Sequence, residues 1–557
     1  MSRGDGYQLT LRHADVIYPT GMFEQTLNPA GHLGLTILVA LVPLVALIFM
    51  LAVFRITAWL ATIIAGAITI PLGAAVWHAP VASAMKSYLL GGLTGVWSID
   101  WITFWGLIIF NTVVLTGDFG RFKSWLVHHA TADIRIQTIL LAWAFGALLE
   151  GLVGFGYPWA VVVPILVGLG IADLDAIRVA ALANNAPVSY GALGAPIIGL
   201  AAVTGLPLMA LSGSIGNVVA VLALLPPWVL IFLVSGWAGV AEAWPLAIVG
   251  SLSYIAGQWP VAHYLGPYLP DLSGALVSFW ILFLFVKIWR PKTVRGFGGV
   301  ALHSAATPAA DASPPTTTRE SFMAWVPYIV LILVVVAWTG PWSTLPQISL
   351  FKLSIAAKSS VTLKPIASIF NFTPFNGGSS ILASWLVILA ILRPSGEIVR
   401  QVFARTFRQM WGALLVAFFI FGLAYVFVYT GMANSLAYGI SKIGIFFVVL
   451  APILGWIGVA LSGSNTSTNA MFGPVQMVTG KLLNLPVLLL PTLNSVGAEV
   501  GKPIAPQTAS VGVSTSKLVR SEGQVIRHNM GWTLIVLAYL ILIALLFYRV
   551  FPQSMLL

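Results

Sequence analysis

The chain has 557 residues, of which 59% are hydrophobic and only 8% charged, with a formal net charge of +11 and a mean hydropathy of +0.96. Soluble domains carry about a quarter charged residues, so this composition excludes a soluble globular protein and indicates lipid as the solvent. The absence of cysteine excludes disulfides, thiol chemistry and cysteine-ligated metals.

Taken in chain order, residues 1–30 form a polar tail of mixed charge with no cleavable signal peptide. Apolar runs long enough to cross a bilayer follow at roughly 33–54, 56–77, 97–117, 215–236, 268–289, 323–339, 411–429, 443–461 and 529–548, with a shorter one at 379–392. Backbone groups in lipid must be bonded within the segment, so a helical bundle is predicted. None of the runs shows the alternation of a barrel strand. The segment 120–136, "GRFKSWLVHHATADIRI", mixes basic and apolar residues and predicts an interfacial helix. Basic residues crowd at Lys287, Arg290, Lys292 and Arg295, and again at Arg393, Arg400, Arg405 and Arg408. They cluster at span ends, which is a topology signal rather than a nucleic-acid patch, and place both clusters and Arg55 on the cytoplasmic side with the N-terminus outside. Residues 291–322, rich in Pro, Ala, Ser and Thr, predict a flexible linker between an N-terminal half (31–290) and a C-terminal half (323–557).

The two halves contain a weak internal repeat. Thr116-Gly117 and Thr430-Gly431 each end a span, an apolar segment follows, and a break comes at Glu150-Gly151 or Ser462-Gly463, with Gly-to-Gly separations of 34 and 32. Further on, "NNAPVSYGALGAPI" (184–197) resembles "LNSVGAEVGKPIAP" (493–506). The repeats span about 97–205 and 411–515. Arg121, Lys123 and Arg135 follow Gly117, whereas Lys442 alone follows Gly431 before the next span, so the copies are expected to run in opposite directions. Inverted repeats with broken helices meeting near the midplane are a secondary-transporter architecture. The fold expected is an all-α polytopic membrane protein of about 12–14 segments, counting broken ones.

Most of the 16 acidic residues lie in the tail, the linker, span ends and connecting loops; Glu150 and Glu499 lie within the repeated, glycine-broken elements. An ionisable group inside a membrane is a functional candidate by default. The bland alternative is a carboxylate satisfied by backbone amides at a helix break. Gly151, Gly154 and Gly156, followed by Pro158, end one helical segment and start another whose free N–H groups suit a small anion. "SGSNTSTN" (462–469) makes the corresponding break and contributes Ser464, Asn465, Thr466 and Ser467, unless it is an ordinary polar loop. "GKPIAPQT" (501–508) adds Lys502, Gln507 and Thr508. Lys502 would pair with a substrate carboxylate or a glutamate, or else snorkel to the surface. The eight histidines show no metal-ligand spacing, "GLVGFG" lacks the strand–helix context of a dinucleotide fingerprint, and the 21 tryptophans suit interfacial belts.

Five blocks together resemble the L-lactate permease family: "GALLEGLVGFGYP" with "ILVGLG", "NNAPVSYGALGAPI", "GWIGVALSGSNTSTNAMF", "NSVGAEVGKPIAPQTASV", and "NPAGHLGL" before the first span. The resemblance runs from about residue 26 to the end. It implies uptake of L-lactate, glycolate and related short 2-hydroxymonocarboxylates with protons, a place in the bacterial inner membrane, and membership of the ion-transporter superfamily, whose members are often dimers using an elevator motion. Two positions depart from the family pattern. Residue 465 is Asn where the family usually has Asp, and Glu499 stands where small or neutral residues are usual.

The reading that follows is a secondary transporter working by alternating access, with no cofactor or metal. The substrate carboxylate is expected at half-helix N-termini around 151–156 and 463–468. Its hydroxyl is expected on Asn184, Asn185 or the Ser/Thr cluster, with the coupling proton carried by Glu499 or by Glu150 alone. Serine, threonine and asparagine oxygens would equally suit a Na⁺-coupled carboxylate symporter. A membrane-embedded enzyme needs a nucleophile–base pair or metal set, and the spans hold none; a passive channel would lack counterflow accumulation.

Overall fold

The computed structural model describes residues 22–121, 131–154, 156–302, 318–518 and 520–557. Most of the expected interfacial helix (122–130) and the middle of the expected linker (303–317) lie outside them.

Helix formation follows the apolar runs, because each must bond its own backbone in lipid. The first layer opens with α1 (Leu33–Ala52), α2 (Ala58–Trp77) and a 35-residue α3 (Val81–Leu115) that contains a π-helical stretch at Gly95–Asp100. The second layer begins with α4 (Ile134–Leu152), α5 (Tyr157–Gly168), α6 (Asp173–Ala183) and α7 (Gly191–Thr204), then α8 (Leu208–Leu222), a kinked α9 (Pro226–Tyr264) and α10 (Pro270–Ile288). After α11 (Thr318–Thr339) come α12 (Gly377–Leu392) and the long α13 (Gly396–Thr430), which packs along α2 and α3 and completes the first layer. The chain then returns to the second layer with α14 (Met432–Ser441), α15 (Phe447–Ser462), α16 (Asn465–Leu482), α17 (Leu489–Gly501), α18 (Pro506–Ser514) and α19 (Glu522–Arg549).

Among the described residues ten stretches are long and apolar enough to cross a membrane, and α6 with α7 forms a further pair bent by 68°. With the shorter apolar α5 and α12, the total falls within the 12–14 segments expected. The repeat is visible as element order. After left-handed Gly117 come α4, a break, α5, then α6, a break and α7; after left-handed Gly431 and α14 come α15, a break, α16, then α17, a break and α18.

Two features differ from the sequence expectations. Arg135, assigned to an interfacial helix, is fully buried: it donates to Asp133 at 2.6 Å and to Glu242 at 3.0 Å, and Glu242 also accepts from Arg295 at 2.6 Å. These carboxylates hold the start of α4 against α9 and against the chain that follows α10. The second is a small sheet. Strand β1 (Phe23–Glu24) pairs parallel with β2 (Phe351–Lys358), which runs antiparallel to β3 (Pro365–Phe372). The alternation in "FKLSIAAK" is the sequence signal for it, hidden in a polar loop between spans.

Close helix crossings rest on small residues. On α17, Gly497 and Gly501 form a Gly-x-x-x-Gly face, and a Cβ at either would meet the Pro452 or Trp456 carbonyl of α15. On α3, Gly91 and Gly95 do the same against the backbone of α13 at Phe421 and Ala417. Gly497→Val is expected to destabilise the protein by about 1–3 kcal/mol through overpacking. The control Gly531→Ala, in α19 with open space at Cβ, is expected to be neutral or to stabilise by up to about 1 kcal/mol. Thermal unfolding of the two purified variants in detergent checks the contrast.

Candidate functional site

The two layers enclose a cavity of about 510 Å³. The first layer contributes an apolar wall from α1, α2, α3 and α13, with Asp100, Thr103 and Gln409 among its few polar side chains. The second layer contributes the helix breaks. Each break has a local cause. Gly154 and Gly156 take left-handed φ values of +65° and +81° between α4 and α5, conformations in which a Cβ is strained. Gly463 at +73° separates α15 from α16, and Ser464 caps α16 by accepting from the Ser467 N–H at 3.2 Å. Asn184 to Tyr190 break α6 from α7, where Ala192 and Leu193 are themselves left-handed (φ 47° and 57°). Such strain in buried non-glycine residues persists only where the surroundings enforce it. The fourth break, Lys502–Ile504, is a short 3₁₀ turn that ends at Pro506, the first residue of α18.

Three of the four breaks meet around one ion pair, and the remaining one, at Gly463, lines the same cavity. Glu150, at the end of α4 and 1% exposed, accepts from Lys502 Nζ at 2.7 Å on Oε1 and from Asn184 Nδ2 at 3.0 Å on Oε2. Lys502 is 7% exposed, so it does not snorkel. Of its two expected partners, the contact in the structure is with the glutamate. A Cβ at Gly191 would sit 2.5 Å from Glu150 Oε1, so that glycine makes room for the carboxylate.

Ten of the residues singled out in the sequence line the cavity. Glu150, Gly154 and Gly156 come from the first break; Ser464, Asn465, Thr466 and Ser467 from the second; Lys502, Gln507 and Thr508 from the fourth. The first turn of α16 presents backbone N–H groups that have no intrahelical partner. Asn465 Nδ2 donates to the Ser495 carbonyl at 3.2 Å, while its Oδ1 accepts no hydrogen bond.

Gly151, Asn184, Asn185 and Glu499 lie behind the wall. Gly151 packs against Asp271 and Leu272 of α10. Asn184 acts through Glu150, and the Asn185 amide is buried with neither polar atom partnered. Glu499 is fully buried; Ser189 Oγ donates to its Oε2, and Oε1 accepts nothing. The reason for its direction is the helix period: with Gly497 and Gly501 facing α15, the residue midway between them points away.

Sequence reasoning missed three groups. Asp100, near the start of the apolar run 97–117, lies in the middle of the continuous helix 81–115 and is 4% exposed. Its signal was a carboxylate inside an apolar run. Asp271, at the start of α10, accepts from the Tyr254 hydroxyl at 2.8 Å. Asn469 and Asn494 form a ladder, with Asn494 donating to Asn469 at 3.0 Å and Asn469 donating to the Pro196 carbonyl at 3.0 Å, which ties α16 to α17 and α7.

Removing one member of a buried ion pair strands the other charge. Glu150→Ala is therefore expected to cost about 3–5 kcal/mol, and adding Lys502→Met should recover most of that loss. A thermal double-mutant cycle in detergent reads the coupling; additive losses would show that the pair does not hold the breaks together.

The chain matches the L-lactate permease family over residues 36–551. It is similar to the glycolate permease GlcA of Escherichia coli (strain K12), with 33% identity covering 94% of this chain and 98% of the relative. It is also similar to the L-lactate permease of Bacillus subtilis (strain 168), with 31% identity covering 94% and 97%. A third relative is the L-lactate permease of Escherichia coli (strain K12), with 29% identity covering 92% and 96%. Together with the ten candidate spans, these bacterial relatives identify a multi-pass protein of the inner membrane. The chain belongs to the L-lactate permease family.

Proposed function

We propose that this permease takes up L-lactate or glycolate in symport with a proton by alternating access. The observation that carries the reading is that Lys502 and the first turn of α16, where the Ser464 cap takes only the Ser467 N–H, line one cavity. A carboxylate fits both donors: a point charge with three N–H groups, and a helix N-terminus. Gln507, Thr508 and the free Oδ1 of Asn465 supply partners for a neighbouring hydroxyl. Relatives named for glycolate and for L-lactate fit a substrate that combines these two groups.

Coupling follows from charge. When Lys502 turns to the substrate, Glu150 loses its cationic partner, and an unpaired carboxylate in this setting is costly until a proton joins it. Glu499 is the second proton carrier, because it is buried and no cationic partner lies in hydrogen-bonding reach among the described residues. Because the breaks sit between two helical layers, movement of the second layer against the first would expose the cavity alternately to each side.

The test is uptake of labelled L-lactate into proteoliposomes under an inward proton gradient without Na⁺, with glycolate and pyruvate as competitors. Concentrative uptake that collapses with a protonophore is expected. Uptake only with Na⁺ would replace the proton with a cation held by the Ser, Thr and Asn oxygens of the breaks, and no uptake would reject the substrate class. Glu499→Gln is expected to keep lactate counterflow and lose proton-driven accumulation. Intact accumulation in that variant would remove Glu499 from the coupling.

A further inference from the structure

The wall opposite Lys502 holds a carboxyl group that none of the preceding chemistry uses. Asp100 closes the π-helical stretch of α3, lines the same cavity, and is 4% exposed. No hydrogen bond or ion pair reaches its side chain among the described residues, and Oδ2 is buried without a partner. The contrast with Glu150 is direct, since Glu150 has both a lysine and an asparagine donating to it. The backbone here is also closely held. Gly95 abuts the α13 backbone at Ala417, and Ile99 and Thr466 both come within 3.5 Å of where a Cβ on Gly199 would stand. Asp100 is therefore set on the first layer at a place where the second layer touches it.

The ionic inventory of the cavity is small. Among the described residues its charged side chains are Asp100, Glu150 and Lys502, with Tyr157 as a neutral titratable group. Among the described residues α1, α2, α7 and α13 line it with no charged side chain, although Arg405 of α13 acts on Tyr157 through its charge. Lys502 cancels one carboxylate or one substrate anion, not both. Whichever it takes, the charge of Asp100 is left over. An anion entering beside an ionised Asp100 would meet a like charge. Glu150 already has two donors, whereas among the described residues Asp100 has none, so the charge left without compensation is that of Asp100.

We propose that Asp100 is a proton-binding site on the first-layer wall, and that it takes up a proton when a carboxylate substrate enters the cavity. The proton comes from solvent, joins a carboxylate oxygen of Asp100 and is released when the anion leaves; no bond other than O–H is made or broken. This inference rests on the anion-transport reading above and adds to the roles of Glu150 and Glu499.

The experiment is isothermal titration calorimetry of the full-length protein in detergent with L-lactate and with glycolate. Each titration is run in two buffers of different ionisation enthalpy, across a series from mildly acid to neutral pH. The difference between buffers gives the protons taken up per ligand bound. Wild type is expected to take up protons on binding, Asp100→Asn to bind the ligand with about one proton fewer at the same pH, and Asp100→Glu to restore the wild-type number. Asp100→Ser serves if the asparagine variant fails to fold. An unchanged proton count in Asp100→Asn, or binding by wild type with no proton uptake at any pH, overturns the proposal while leaving the anion site intact. If wild type binds neither ligand, the transport reading falls and this proposal with it.

Discussion

A 2.7 Å contact between Lys502 and Glu150, residues 352 apart in sequence, is what the broken architecture depends on. Helix breaks inside a membrane free backbone groups that lipid cannot satisfy, and such breaks survive only where they are buried in protein or line a cavity. Here they do both. The ion pair draws the end of α4 to the turn between α17 and α18, and Asn184 brings in the end of α6. Burying either charge alone would be prohibitive. Burying them together makes each break the solvent of the other.

That arrangement gives the two layers different jobs. The first layer is built from long, mostly unbroken helices whose glycine faces allow close backbone approach, and it presents an almost uncharged wall. The second layer concentrates the strain: left-handed Ala192 and Leu193, glycines at positive φ, and buried asparagines with incomplete hydrogen bonding. Strain and unmet polar groups gather where function is expected. The asparagine ladder from Asn494 through Asn469 to the Pro196 carbonyl offsets part of that cost by holding α16 and α17 against α7.

Much of this was legible in the sequence because lipid leaves few options. An apolar run of about 20 residues has to be a helix, and glycine with a carboxylate inside such a run has to be a break or a site. The breaks at Glu150 and Ser462 were readable for that reason, and the residues around them, with those of 501–508, largely face one cavity. Direction was harder to read. Glu499 and Lys502 are three residues apart on adjoining turns, and only the packing of Gly497 and Gly501 on α15 decides that Glu499 turns toward Ser189. Asp100 was lost for a different reason: hydropathy started a span at Trp97, while the helix begins sixteen residues earlier and carries the aspartate to its middle. Arg135 looked interfacial because two of its partners, Glu242 and the Thr293 carbonyl, are distant in the chain.

Residues 497–501 serve two ends at once. The glycines set how closely α17 approaches α15, and the glutamate between them points into the core of the second layer. Any drift in the contact with α15 rotates or lifts the carboxylate by the same motion. Mutational tolerance in this pentapeptide is therefore set by two surfaces rather than one, and change on one face of α17 would have to be matched by change on the other. A lineage that gains a carboxylate here inherits a helix crossing it can no longer freely repack.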